Sequence, residues 1–163
     1  LTSMLKVPAD QLADRLESTI SALKAAEKEI AEDKRSALLN NADSIVGEPA
    51  RHGSCDLWVF GAPDGSDASS LRELAQQVIS RAGNSSVAVA FGSVVTGDKV
   101  SAVIAVNDAG VRAGYSAQHL LRLALHELDG KGGGKDNFAQ GAGTNSAALA
   151  AAVASVEAAL AAQ

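Results

Sequence analysis

Residues 85–107, SSVAVAFGSVVTGDKVSAVIAVN, contain two apolar runs separated by the short segment Thr96-Gly97-Asp98. Both runs are rich in valine, a β-branched residue that fits the pleated surface of a sheet. A glycine-containing turn between two such runs is typical of a β-hairpin. The segment therefore predicts two antiparallel strands.

A third strand and a helix are predicted immediately before this hairpin. Residues 55–60, CDLWVF, form a short apolar run, and residues 66–83, SDASSLRELAQQVISRAG, show helical periodicity with a Ser or Asp cap and a closing Gly83. The apolar face of this helix comprises Leu71, Leu74, Val78 and Ile79. A strand–helix–strand order implies a parallel pair with a right-handed crossover, so we expect a small mixed sheet backed by helices.

The rest of the chain is predicted to be helical. One long helix is expected from Pro8 to Leu39, a short one over residues 116–128, and a last one capped by Asn145. Residues 130–143, GKGGGKDNFAQGAG, are expected to form a loop between the last two helices. The predicted class is α+β: a coiled-coil-like arm, then a β-α-β-β-α-α order.

Two domains are predicted, with the boundary at the Gly- and Pro-containing segment VGEPARHG. Residues 1–46 form the helical arm, and residues 47–163 form the globular domain. The arm has a narrow apolar stripe that needs a partner. The predicted oligomerisation residues are Leu12, Leu16, Ile20, Leu23 and Ile30. Packing against its own domain and a coiled coil with another subunit or an upstream helix both remain open.

Charge and composition limit the function classes. The net charge of −5 argues against generic nucleic-acid binding, so any RNA contact must be local. The single cysteine, Cys55, excludes an internal disulfide and fits the reducing cytoplasm, which is the predicted location. Neither a membrane-spanning run nor a secretory signal is recognisable. The start at Leu1 without Met suggests a fragment of a longer protein.

Catalytic and metal-binding motifs are not found. His52, Cys55, His119 and His126 lack the spacing of a zinc site, and Cys55 has no basic neighbour in sequence, which favours a buried structural thiol. Paired carboxylates and Asp-His-His clusters are also not recognised. We therefore predict no catalytic residue and no metal ligand in this chain.

The glycine-rich segment 130–143 is the candidate binding site. It lacks the Walker A pattern and follows a helix rather than a strand, which excludes a Rossmann fingerprint. Bare glycine N–H groups beside Lys131 and Lys135 could approach a phosphate, whereas the alternative is a flexible connector. Gln140 and Asn107 could bind a base edge or cap loops, and Phe138 could stack on a base or anchor the loop. Tyr115 could also stack, and Arg112 and Arg122 could meet phosphates.

Two stretches resemble a known family. VPADQLADRLESTISALKAAEKEIAEDK, residues 7–34, is similar to the helix near the start of the C-terminal region of alanyl-tRNA synthetase. GGGKDNFAQGAGTNSAALAAAVASVEAAL, residues 132–160, resembles the end of that enzyme. The order of elements between them resembles the nucleic-acid-binding domain that also accompanies DHH-family phosphoesterases. Phe138, where methionine is common, and Ala142, which interrupts a frequent glycine pair, depart from the family pattern.

The resemblance implies a non-catalytic module that binds the elbow of tRNA(Ala), links aminoacylation and editing on one tRNA, and supports dimerisation. The full enzyme would use ATP, Mg and a zinc ion in its editing domain, but no cofactor is expected in this chain. The predicted RNA-binding residues are Arg112, Tyr115, Arg122, Lys131, Gly132, Gly133, Gly134, Lys135, Gln140, Gly141 and Gly143. Two rivals remain: the substrate-binding half of a DHH-type phosphoesterase, and a purely oligomerisation module.

Overall fold

The computed structural model describes residues 12–40, 48–63 and 66–162. It divides into two compact units, Leu1–Ser36 and Ala37–Gln163. The elements are named in chain order: helix α1 (Leu12–Asn40), strands β1 (Ala50–His52) and β2 (Cys55–Gly61), helix α2 (Ala68–Ala82), strands β3 (Val87–Thr96) and β4 (Lys99–Val106), helices α3 (Asp108–Arg112) and α4 (Ala117–Glu127), strands β5 (Lys131–Gly134) and β6 (Phe138–Gly143), and helix α5 (Leu149–Ala161).

Helix α1 carries the apolar stripe predicted for the arm. Leu16, Ile20, Leu23 and Ile30 are 45–58% exposed. The side chain of Leu12 and the predicted helix start at Pro8 lie outside the described residues, as does the predicted boundary near residue 46. Within the helices that the structure describes, none is long and apolar enough to cross a bilayer.

The six strands form one mixed sheet in the order β1-β2-β3-β4-β6-β5. Strands β2 and β3 are parallel, and the other neighbouring pairs are antiparallel. The β3–β4 hairpin lies at the centre, where Phe91 pairs with Ile104 and Gly97 turns the chain with φ of +62°. The α+β class, the parallel pair and the central hairpin are confirmed.

The predicted β-α-β-β-α-α order is incomplete. Strands β1, β5 and β6 and helix α3 were not predicted. The expected loop over residues 130–143 is wrong: it forms the β5–β6 hairpin, in which the Lys135 N–H donates to the Phe138 carbonyl at 2.7 Å. Its strands lack the branched side chains that reveal a strand in sequence, because glycine and alanine occupy seven of their ten positions.

Apolar side chains cover both faces of the sheet. On one face α2 packs over β3 and β4, and its buried residues include Leu71, Leu74 and Val78. On the other face α4 packs over β4, β5 and β6 and against α5, around Leu120, Leu121 and Leu125. Because α2 covers the centre of the sheet, the hairpin β5–β6 extends beyond it.

Caps define the helix ends. Asp67 caps α2 by accepting a hydrogen bond from the Ser70 N–H at 2.8 Å, and Ser116 caps α4. The predicted cap at Asn145 is wrong in its detail. Its side chain donates instead to the Glu127 carbonyl at 3.4 Å, and a 3-10 turn over Ser146–Ala148 precedes α5. Because the Asn145 amide bonds the end of α4, helix α5 begins without a side-chain cap.

Candidate nucleic-acid interface

Strand β5 is the outer edge of the sheet and consists of Lys131 followed by three glycines. The residues of an antiparallel pair alternate between those that bond their partner strand and those that do not. Since Lys135 bonds Phe138, the N–H groups of Gly132 and Gly134 point away from the sheet. They present two backbone donors roughly 7 Å apart, with no side chains in front of them.

Close packing requires glycine in both strands of the hairpin. A Cβ added at Gly132 of β5 would lie 2.5 Å from the Gln140 carbonyl oxygen and 2.9 Å from Leu125 Cδ1. A Cβ added at Gly141 would lie 2.5 Å from Leu125 Cδ1 and 2.9 Å from the Lys131 carbonyl oxygen. Gly143 is buried against Leu128. Gly141 and Gly143 therefore allow helix α4 to pack closely on the hairpin, and they hold the exposed strand in place.

A cleft of about 380 Å³ lies on the α2 side of this hairpin, and we call it the Arg72 cleft. In it the Arg72 guanidinium lies over the Phe138 ring, 4.9 Å from the ring centroid. Such a contact holds a planar cation against an aromatic face. The cleft is lined by Arg72, Gln76, Gly133, Gly134, Lys135, Asn137, Phe138 and Gln140.

A second cleft of about 450 Å³ lies on the opposite face, and we call it the Arg122 cleft. Helix α4 forms one wall and strand β5 the other. Its lining is more apolar than that of the Arg72 cleft. The lining residues are Gln118, Leu121, Arg122, Leu125, His126, Gly130, Lys131, Gly132 and Gly133.

Charge is distributed unevenly around the hairpin. Each cleft contains one arginine and one lysine, and neither has an aspartate or glutamate among its described lining residues. The whole chain nevertheless carries a net charge of −5. The two clefts and the free strand edge thus form a local cationic surface on an acidic protein, which suits an anionic ligand.

Hydrogen bonds fix the tip of the hairpin to the rest of the domain. The Ser116 hydroxyl donates to the Asp136 carboxylate at 2.6 Å, and the Ala117 N–H donates to the Asp136 carbonyl at 2.8 Å. The Val106 N–H donates to the Asn137 carbonyl at 2.9 Å. These bonds position Lys135 and the glycine edge before any ligand arrives.

The structure brings most of the predicted RNA-binding residues together. Seven of them line the two clefts: Arg122, Lys131, Gly132, Gly133, Gly134, Lys135 and Gln140. Gly141 and Gly143 support the hairpin from behind, as described above. Arg112 lies at the end of α3, outside the lining of both clefts, and its Nε donates to the Asp108 carbonyl at 3.2 Å.

Tyr115 lies elsewhere. It is 5% exposed and packs in the core between the sheet and α4, so its ring is not accessible to a base in this structure. Phe138 is half-buried against the α2-side core and under Arg72. This location favours the anchoring alternative for Phe138, while its contact with Arg72 still borders the cleft.

Asn107 is a structural residue. Its side-chain oxygen accepts from the N–H groups of Ala88 and Gly110, and its nitrogen donates to the carbonyls of Gly83 and Ser86. An amide side chain has two donors and two acceptor positions. All four are used, so the capping alternative holds for Asn107.

Cys55 is buried, as predicted. Burial, with a smaller contribution from the nearby Asp56 carboxylate, raises the pKa of the Cys55 thiol to about 11, so the thiol is protonated and unreactive at neutral pH. His52, which pairs with Cys55 across β1 and β2, lies 3.9 Å from a Glu157 carboxylate oxygen. In the part of the chain that the structure describes, no group of three or more His, Cys, Asp or Glu residues could hold a metal ion.

Sequence reasoning missed Arg72, Gln76 and Asn137. Arg72 and Gln76 occupy the polar side of a predicted amphipathic helix, where charged residues normally face solvent. Nothing local distinguishes them from other helix residues. They line the cleft because α2 lies beside the β5–β6 hairpin, which follows it by more than sixty residues. Since the sequence did not predict this hairpin, it could not predict that α2 lies beside it.

A comparison with protein families matches residues 56–162 to the model described as the DHHA1 domain. Curated relatives include the alanine–tRNA ligases of Saccharopolyspora erythraea, 36% identical over 96% of this chain, and of Corynebacterium jeikeium, 35% identical over 98%. The chain spans only 17% and 18% of the length of these two relatives.

Solved structures show the same likeness. The C-Ala domain from Aquifex aeolicus alanyl-tRNA synthetase aligns with a TM-score of 0.62 and 26% identity, covering 71% of this chain and 99% of that one. The DHH domain of a protein described as a member of a ribosomal-protein family aligns with a TM-score of 0.60 and 11% identity, covering 85% and 32%. The second likeness shows a shared fold alone.

Proposed function

Because the chain belongs to the DHHA1 domain family and is similar to alanine–tRNA ligases over nearly its whole length, we propose that it is a non-catalytic tRNA-binding module. Its ligand is the elbow of tRNA(Ala). In a longer synthetase it helps to keep one tRNA engaged during aminoacylation and editing, in the cytoplasm. The module itself needs no cofactor for this role.

The observation that carries this proposal is the cationic surface around the β5–β6 hairpin. Arg72, Arg122, Lys131 and Lys135 surround an exposed glycine edge, and carboxylates are missing from the described lining of both clefts. On a chain of net charge −5, such a local cluster of cations can attract a polyanion that the acidic remainder repels.

The shape of the surface also fits folded RNA. Loops and corners of RNA present phosphates, ribose hydroxyls and unstacked bases, which proteins recognise by backbone donors, cations and planar groups. The β5 edge offers the N–H groups of Gly132 and Gly134. The bonds from Ser116, Ala117 and Val106 hold this edge in one conformation, which lowers the entropic cost of binding.

Equilibrium binding across a salt series tests the proposal. The chain is titrated with tRNA(Ala), a second tRNA and a minihelix that lacks the elbow. We expect binding to both full tRNAs and not to the minihelix. The double substitution Lys131→Ala and Lys135→Ala should weaken binding and reduce the salt slope by about 1.4–1.8, as expected for the loss of two phosphate contacts.

Arg51→Ala is the matched control, because Arg51 is an exposed cation on the opposite edge strand, roughly 24 Å from β5 across the sheet. It should leave affinity and slope near the unsubstituted values. Equal losses in the lysine and Arg51 variants would contradict a localised site. Absence of tRNA binding at low salt would overturn the proposed function.

A second role is favoured by the exposed apolar stripe of α1. Leu16, Ile20, Leu23 and Ile30 each leave about half of their side-chain surface in contact with water, which is unfavourable unless another helix covers it. We propose self-association through this arm. Sedimentation of the wild type and of the double variant Leu16→Asp, Leu23→Asp tests this proposal. The wild type should be a dimer and the variant a monomer. The same oligomeric state in both would indicate that the stripe packs against upstream synthetase domains instead.

The comparisons give little support to the alternative that the chain is the substrate-binding half of a DHH-type phosphoesterase. Its support is a likeness of fold at 11% identity, whereas the ligase relatives are 35–36% identical over nearly the whole chain. The purely oligomerisation rival makes the opposite prediction in the tRNA titration, because it expects no binding to any RNA.

A further inference from the structure

We infer that the Arg72 cleft holds one unpaired nucleobase, stacked on the solvent-facing side of the Arg72 guanidinium. The inference rests on the proposed RNA binding and adds a specific subsite to it. Arg72 is not among the RNA-binding residues predicted from the sequence, and it lies on α2, well before the glycine-rich segment.

The first argument is the platform itself. The Arg72 guanidinium lies over the Phe138 ring at 4.9 Å, and Phe138 is packed against the buried core beneath α2. Arg72 is exposed, so its planar guanidinium keeps a solvent-facing surface that Phe138 does not cover. Arginine planes and aromatic rings are the groups on which unstacked RNA bases are bound.

The second argument is the set of polar groups around this platform. Gln76, Asn137 and Gln140 line the same cleft, and each amide side chain carries both donors and acceptors, which match the mixed edge of a nucleobase. Lys135 also lines the cleft, beside the free edge of β5. A nucleotide can therefore place its phosphate at Lys135 and turn its base towards Arg72.

The third argument is the contrast with the neighbouring clefts. The Arg122 cleft is lined by Leu121, Leu125 and His126, and among its described residues no arginine is held over an aromatic ring as Arg72 is over Phe138. A cleft of about 430 Å³ adjoins the Arg72 cleft at Gln76 and Phe138, and it contains Asp108. A carboxylate there disfavours a phosphate, so the groove along α2 suits a base better than a backbone.

The experiment combines two arginine variants with base-deleted RNA. Wild type, Arg72→Ala and Arg72→Lys are titrated with tRNA(Ala) and with the same tRNA made abasic at one unpaired elbow nucleotide at a time. Arg51→Ala is the matched control, and thermal unfolding verifies that each variant is folded. Arg72 is exposed, so its replacement should leave the fold intact.

We expect Arg72→Ala to weaken binding of intact tRNA by about 5- to 150-fold, the range for one lost stacked base. Arg72→Lys should bind intact tRNA nearly as weakly as Arg72→Ala, because the lysine ammonium lacks the planar surface on which a base stacks. Its salt slope should be unchanged, because lysine keeps the positive charge. At one abasic position wild type should bind as weakly as Arg72→Ala binds intact tRNA. Combining both changes should cause little further loss.

Three results would overturn the inference. Equal affinity of wild type and both Arg72 variants would show that the cleft is not used. Full recovery by Arg72→Lys would make Arg72 a simple phosphate contact, and additive losses at every abasic position would mean that no base depends on it. If one of these results occurs and the Lys131→Ala, Lys135→Ala variant still loses tRNA binding, the base subsite is rejected and the proposed tRNA-binding function is retained. If the wild-type protein binds no tRNA, the proposed function and the base subsite are both rejected.

Discussion

The two antiparallel hairpins β3–β4 and β5–β6 belong to the same sheet but differ in the residue types and in the burial of their strands. In β3–β4 the paired residues are mostly Val, Ala, Phe and Ile, and twelve of the sixteen are buried. In β5–β6 seven of the ten strand residues are glycine or alanine, and all of β5 is exposed. The first hairpin derives its order from its own side chains, whereas the second derives it from contacts made by its neighbours.

The difference has a functional meaning. Branched side chains stabilise a hairpin but keep a ligand at a distance from its backbone. Glycine allows close approach of a ligand to the main chain, at the cost of conformational entropy on folding. The β5–β6 hairpin can therefore present its backbone because α4 and Ser116 supply the missing order.

The largest expected effect is on the central hairpin. Phe91 is fully buried at its middle, so Phe91→Ala should lower the free energy of unfolding by about 3–5 kcal/mol through lost burial and an unfilled cavity. Denaturant unfolding measures this. A loss below about 1 kcal/mol would show that β3–β4 does not carry the stability assigned to it.

A smaller effect is expected from Gly141→Ala in the outer hairpin. The new Cβ would clash with Leu125 and the Lys131 carbonyl, so we expect a loss of about 1–3 kcal/mol. Gly133→Ala is the matched control. It has open space at its Cβ and should leave the protein unchanged or about 0.4–1 kcal/mol more stable. Equal effects of the two substitutions would refute the close approach of α4.

A local effect is expected from Ser116→Ala. It removes the bond from the Ser116 hydroxyl to Asp136 and the side-chain cap of α4, and we expect a loss of about 0.5–2 kcal/mol. Hydrogen exchange should accelerate at Lys135 and Gly133 while the amides of β3 and β4 keep their protection. Faster exchange in both hairpins would mean that the bond stabilises the whole domain rather than the outer hairpin.

The smallest effect concerns α2, the helix that packs over β3 and β4 of the central hairpin and reaches Phe138 of β6 through Arg72. Hydrogen bonds from Ser70 and Ser69 lower the pKa of the Asp67 carboxyl. Its stabilising contribution is therefore complete above the usual pKa and is lost as pH falls through the lowered value. Asp67→Ala should cost about 1 kcal/mol at neutral pH and less in acid, below the usual aspartate pKa, measured by thermal unfolding. A cost that is independent of pH would contradict this role.

The central and outer hairpins also differ in how well the sequence predicts them. Residues 55–106 were predicted almost entirely, because valine-rich runs, an amphipathic helix with Asp67 and Gly83 at its ends, and the turn at Gly97 are local signals. Strand β5 carries no local signal. Lys-Gly-Gly-Gly becomes a strand only because β6 pairs with it and α4 packs on it.

The candidate site divides in the same way. Its cations Lys131 and Lys135 were predicted because they adjoin the glycines in sequence. Arg72 could not be predicted, because its contact with Phe138 exists only once α2 and β6 lie side by side. Tyr115 was predicted to be an RNA-binding residue that could stack on a base, yet it lies in the core because the turn after α3 directs it inwards.

The free edge of β5 also bears on how this protein behaves at high concentration. An exposed strand with unpaired N–H and carbonyl groups is a template on which another copy can pair and begin to aggregate. The exposed Lys131 and the neighbouring Lys135 flank the glycines, so two edges that approach each other meet with like charges. Removing both lysines leaves a bare glycine edge, and the colloidal stability of that variant then depends on keeping the protein dilute.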